Sequence, residues 1–174
     1  AIAQLGNEAS MTGLLRYYQS LGHPEVDDTH IITRRYFQKD ADAADLLWNM
    51  NRVNNTKPLV ITEGQIDCAS VVQAGYLNCV SVLKGSQGMG WIENCWDWLQ
   101  QFDEIIVFSD GDAPGIKMRN EIINRLGAMR CKYVEVPHEL EYKDTRRFVP
   151  VKDASEILQC KGEKYLFDLI NTAK

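Results

Sequence analysis

Four short apolar runs, separated by windows of helical spacing, constrain this chain more than any other feature of its sequence. They are "LVIT" at 59–62, "CVSVL" at 79–83, "EIIVF" at 104–108 and "CKYVEV" at 131–136. Helical windows lie between them at 65–74, 91–101 and 114–126, and one or two more follow Lys152. Near-continuous apolar strands alternating with helices predict an α/β domain built on a four-stranded, mainly parallel sheet with helices on both faces. Right-handed crossovers then put the carboxyl end of every strand on one edge, and open sheets of this kind bind ligands in the crevice beyond that edge.

The segment before Pro58 has a different texture. "NEASMTGLLRYYQSLG" places Met11, Leu14, Leu15, Tyr18 and Leu21 on one helical face and ends at Gly22, "HIITRRYF" reads as an edge strand, and "DADAADLLWNMNRV" reads as a second helix. The polar stretch Asn54 to Lys57 then reads as a connector. The expected division is a small, mostly helical segment over 1–57 and the α/β domain over 58–174.

At 174 residues the chain can bury one substantial core. Its formal charge of −5 argues against a polybasic tail or a membrane-surface helix, and against strong unaided binding to bare phosphate backbone. No apolar stretch is long enough to span a bilayer and the start lacks a signal-peptide pattern, so a soluble, cytoplasmic chain without membrane partners is expected. Cys68, Cys79, Cys95, Cys131 and Cys160 are far apart with no C-x-x-C pair, a spacing that suits neither a zinc site nor a disulfide framework; reduced core thiols are expected. The sequence opens at Ala1 rather than at a methionine, which suggests a fragment of something longer.

Chemistry is expected where strands end. Asp110 and Asp112 follow the third strand in "IIVFSDGDAPG", and Glu63 follows the first in "VITEGQID". If those strands are neighbours, the carboxylates converge, and at least one pKa rises unless a cation is present. Mg²⁺ suits such a set because it takes hard oxygen ligands and is usually held by one or two carboxylates plus substrate phosphates. Gly64 and Gly111 permit tight turns there, and Pro114 suits a first helical turn. A bland alternative exists for the same letters: Asp40 and Asp42 have the same spacing in "KDADAADLL", where a helix cap accounts for them, and Asp112 could likewise be only an N-cap.

"VITEGQIDCAS" followed by "VFSDGDAPG" resembles the Toprim signature, an E-G-x-x-D motif and then a D-x-D motif. The resemblance is closest to the primase-helicases of bacteriophages and the Twinkle-like helicases, and "LLWNMNRVNNTKPLVITEG", "VSVLKGSQG", "WDWLQQFDEIIVFSDGD" and "VKDASEIL" extend it over roughly Leu46 to Leu158. Pro114 and Ser155 depart from the family pattern, the latter standing where Asn is usual, and neither removes a carboxylate.

This resemblance implies a Toprim catalytic domain, with Glu63, Asp110 and Asp112 as catalytic residues and Asp153 joining them around Mg²⁺ or Mn²⁺. Glu63 would act as general acid/base or as a metal-linked carboxylate. Asp67, Lys84 and Lys152 are possible accessory residues, each with a plain surface role as its alternative. Lys143, Arg146, Arg147 and Lys152 form one basic stretch, interrupted by acids, whose first three members are candidates for nucleic-acid or phosphate binding, with a solvated face as the alternative. The implied activity is nucleotidyl transfer in RNA primer synthesis, with a single-stranded DNA template, nucleoside triphosphates and a helicase domain or partner, in a bacterial or phage-infected cell. A Toprim nuclease and a non-catalytic module coupling DNA to a helicase are the alternatives. No P-loop motif is present, so helicase chemistry is not expected of these residues.

Overall fold

The computed structural model describes residues 46–83, 88–143 and 145–174. The expectations for the two N-terminal helical windows up to Asp45, for "HIITRRYF", for Asp40 and Asp42, and for Lys84 lie outside them. The described residues belong to a compact unit running from Asp45 to Lys174.

Four parallel strands form where the apolar runs stand: β2 (Leu59–Thr62), β3 (Cys79–Val82), β4 (Ile105–Phe108) and β5 (Cys131–Tyr133). The β2 and β4 residues are all buried, as strands covered on both faces must be, and β2 and β4 lie side by side in the middle of the sheet. Leu59 pairs with Ile105 and Thr62 with Phe108, so the two strands end level with each other. The sheet has a fifth strand, β1 (Leu47–Trp48), antiparallel to β3, and its order is β1-β3-β2-β4-β5.

That edge strand lies where the sequence suggested a helix. Leu47 packs with one core cluster and Trp48 against the other, and only an extended chain sends successive side chains to opposite faces of a sheet. A short 3-10 turn at Met50–Arg52 then leads toward β2.

The same alternation sorts the central strands. Leu59, Ile61, Ile105 and Val107 face a cluster closed by Trp91, Ile92, Leu99, Met118 and Ile122. Val60, Ile106 and Phe108 face another, with Cys68, Val71, Ile157, Leu166 and Ile170. Each fully buried aliphatic side chain contributes about 1.5–3 kcal/mol relative to exposure. The first cover comes from α2 (Gly90–Asn94), α3 (Trp96–Leu99) and α4 (Ala113–Leu126); the second comes from α1 (Gln65–Gln73), α5 (Ala154–Lys161) and α6 (Glu163–Ile170). The single helix expected over 91–101 is divided at Cys95. A hairpin of β6 (Glu139–Glu141) and β7 (Phe148–Pro150) lays Leu140 and Val149 on the second cluster.

All five cysteines are buried free thiols, as expected. Trp91 is buried and Trp98 packs on the first cluster, whereas Trp96 is exposed. Among the described residues no helix is long and apolar enough to cross a membrane.

Candidate active site

The chain runs from β2 to β3 on one side and later returns to β4 on the other, so the strand order reverses between β2 and β4. This reversal opens a crevice beyond the carboxyl ends of those two strands. Glu63 follows the last residue of β2, and Asp110 lies two residues beyond β4. The backbone N–H of Asp110 donates to Glu63 Oε2 at 3.4 Å, joining the two motifs across the crevice.

Local chemistry shapes both turns. The Thr62 hydroxyl bonds the Gly64 carbonyl at 3.0 Å and lies 3.2 Å from the Val80 carbonyl, which holds the turn that carries Glu63. Past β4, Asp112 Oδ1 accepts the Gly115 N–H at 3.0 Å and caps α4. A Cβ on Gly115 would sit 2.3 Å from the Asp110 carbonyl oxygen, so only glycine lets α4 start this close to the Asp110 backbone. Gly111 donates its N–H to the Lys152 carbonyl at 2.7 Å, which fastens the D-G-D turn to the "VKDAS" segment.

That segment brings two further groups to the cleft. Lys152 Nζ lies 3.7 Å from Asp110 Oδ2. Asp153 caps α5 by accepting the Glu156 N–H at 2.7 Å, while Glu156 Oε2 accepts the Lys152 N–H at 2.9 Å, a reciprocal cap. Asp67, one turn along α1 from Glu63, accepts the Ser155 N–H at 3.2 Å. The donor is the backbone, so the Ser155 departure from the family pattern leaves that bond intact.

Crowded carboxylates raise one another. Burial, then Glu63 and Asp153, push the Asp110 carboxyl up to about 7, against the pull of Lys152. Burial, then Asp153 and Asp110, drive Asp67 well above the usual carboxylate range, although the Ser155 N–H opposes the shift. Burial also raises Asp153, against its N–H bond from Glu156 and the Lys152 charge. An all-oxygen donor set that lifts its own pKa values fits a hard divalent cation in its chemistry. Among the described residues, no three such side chains already stand in ligating positions. Asp112 and Asp153 each turn one carboxylate oxygen to a helix cap.

The structure thus gathers Glu63, Asp67, Asp110, Lys152 and Asp153 at one cleft, with the exposed Asp112 at its rim. It does not bring Lys143, Arg146 and Arg147 there. They occupy the exposed tip between β6 and β7, and the Lys143 N–H donates to Cys160 O near the end of α5 opposite to Asp153. An α-helical rise of 1.5 Å per residue puts that end roughly 10 Å away. Glu156 and the backbone of Ser155 were not anticipated; the D-x-x-E spacing in "DASE" is the capping signal that identifies the former. A groove of about 570 Å³ lined by Ile92, Glu93, Trp96, Asp97 and Arg125 lies elsewhere, and Arg125 is held there by Glu93 and Glu121, at 2.7 Å each.

Residues 57–135 match the family described as the Toprim domain. Two curated relatives from Arabidopsis thaliana are similar over 158 residues and 82% of this chain. One is the Twinkle homolog protein, chloroplastic/mitochondrial, 32% identical with 21% of its length covered. The other is the Primase homolog protein, 29% identical with 45% covered. The chain therefore spans less than half of either relative. Among solved structures, the primase fragment of the bacteriophage T7 primase-helicase protein shares the fold with a TM-score of 0.58 at 24% identity, over 72% of this chain and 48% of that one.

Proposed function

We propose that this chain, which carries a Toprim domain of the phage-type primase kind, supplies the cleft in which RNA primers are extended on single-stranded DNA by nucleotidyl transfer. One observation carries this reading: Glu63, Asp110, Asp153 and Lys152, from separate parts of the chain, meet at the point where the strand order reverses. Glu63, Asp110, Asp112 and Asp153 would hold Mg²⁺ or Mn²⁺, which when bound supplies charge neutralisation at phosphate oxygens and a lowered hydroxyl pKa.

The chain's own residues have separable tasks. Glu63 Oε2, on the Asp110 N–H, is fixed at the strand end and can take a proton from an attacking 3′-hydroxyl. With its pKa near 7, the Asp110 carboxyl is only partly ionised at neutral pH, and an approaching cation would complete that ionisation. Asp67 and the capped start of α5 hold the "KDAS" segment in register with both motifs. The reaction joins the 3′-oxygen to the α-phosphorus of a triphosphate and releases pyrophosphate. Lys143, Arg146 and Arg147 would guide the template some way from the acids, with a helicase domain or partner delivering the strand.

The test is incubation of the chain with Mg²⁺, labelled nucleoside triphosphates and single-stranded DNA. Short RNA products that disappear in Asp110→Asn support nucleotidyl transfer. Cleaved DNA in their place identifies a nuclease, and neither product identifies a coupling module.

A further inference from the structure

We propose that Lys152 is a tethered counter-cation of the carboxylate cleft, seated on Asp110 while the cleft holds no divalent ion and displaced from it when one binds. The inference rests on the metal reading proposed above and adds a residue that competes with the ion. Lys152 Nζ stands 3.7 Å from Asp110 Oδ2, and their side chains are 55% and 18% exposed, so a mobile cation meets a mostly sheltered anion. The base of the lysine is fixed on both sides. Its N–H is bonded to Glu156 Oε2 at 2.9 Å, and its carbonyl accepts the Gly111 N–H at 2.7 Å. The ammonium therefore reaches Asp110 from a backbone anchored on the D-G-D turn.

Asp110 Oδ2 is the carboxylate oxygen facing that ammonium, and Asp153, next in the chain, caps α5 beside it. A divalent ion among the same carboxylates repels a neighbouring ammonium and offers Asp110 twice its charge. Two cations cannot both sit on Asp110 at little cost. The lysine, the more exposed of the two partners, is the one able to move out into solvent.

The experiment is calorimetric titration of Mn²⁺ into the full chain and into Lys152→Met and Lys152→Arg, with melting curves before and after ion addition. Lys152→Met is expected to bind Mn²⁺ roughly three- to tenfold more tightly, with the gain shrinking at high salt. Its metal-free melting temperature should fall and be restored by Mn²⁺, and Lys152→Arg should stay within about twofold of the original affinity because the charge is kept. Lys152→Gln gives the same readout should the methionine variant not fold. An original chain that binds Mn²⁺ and a Lys152→Met variant that binds it no more tightly would overturn the role of Lys152 alone. An original chain that binds no Mn²⁺ would overturn the metal reading and the exchange together.

Discussion

Asp110 makes the charge balance of the cleft measurable. Its carboxyl titrates near 7 in the folded chain, mainly through burial and then through Glu63 and Asp153, whereas an unfolded aspartate titrates near 3.9. Between those values the folded state binds more protons at Asp110 than the unfolded one, so the stability that Asp110 contributes is fully present below about pH 4, is lost as pH rises, and is gone above about 7. The loss is on the order of 2–4 kcal/mol for Asp110, and Asp67 and Asp153 add to it in the same direction. Melting temperatures at pH 5 and pH 8 without metal should show this decline, and Asp110→Asn should flatten much of it; an equal slope in that variant would show that Asp110 is not the group responsible. Gly115 carries a steric prediction. Gly115→Ala drives a Cβ to 2.3 Å from the Asp110 carbonyl and should cost about 1–3 kcal/mol in chemical denaturation. Asp112→Ala removes a helix cap and should cost about 1 kcal/mol, with Asp112→Asn nearly neutral because asparagine caps almost as well.

Among the elements, α5 separates two groups of residues that sit close together in sequence and carry different proposed roles. Its first turn, capped by Asp153, lies at the cleft, and its last turn receives the hairpin tip that carries Lys143, Arg146 and Arg147. Reversing Arg146 and Arg147 to Glu should therefore lower affinity for single-stranded DNA, with the steepest loss at low salt, while leaving Mn²⁺ affinity unchanged. Fluorescence anisotropy with a labelled oligonucleotide, beside calorimetry, reads both; unchanged DNA affinity would put the template elsewhere. The sequence places all three residues in one basic stretch with Lys152, and only the hairpin fold shows that Lys152 is parted from the rest. The β1 strand was hidden for a related reason. Two residues are too few for a period, and what makes Leu47 and Trp48 extended is pairing with Val82 and Ser81, more than thirty positions away. The contact of Asp67 with the Ser155 N–H, 88 positions on, could not be read from local pattern either.

At the scale of the molecule, the strands and the strand-end acids were legible because both are local signals: β-branched apolar runs that stop at glycine and aspartate. The strand order turns those acids into a site. With β2 and β4 adjacent and level, Glu63 and Asp110 become neighbours although 47 positions separate them. On the proposed function, this reversal point is a divalent-cation site serving phosphoryl chemistry. A crystal of the chain soaked in Mn²⁺ and examined by anomalous scattering tests it most directly. A peak is expected beyond the ends of β2 and β4, about 2.1 Å from oxygens of Asp110 and at least one of Glu63, Asp112 or Asp153, with the Lys152 ammonium moved off Asp110. A peak only elsewhere on the surface, or no peak with Lys152 still seated on Asp110, would contradict it.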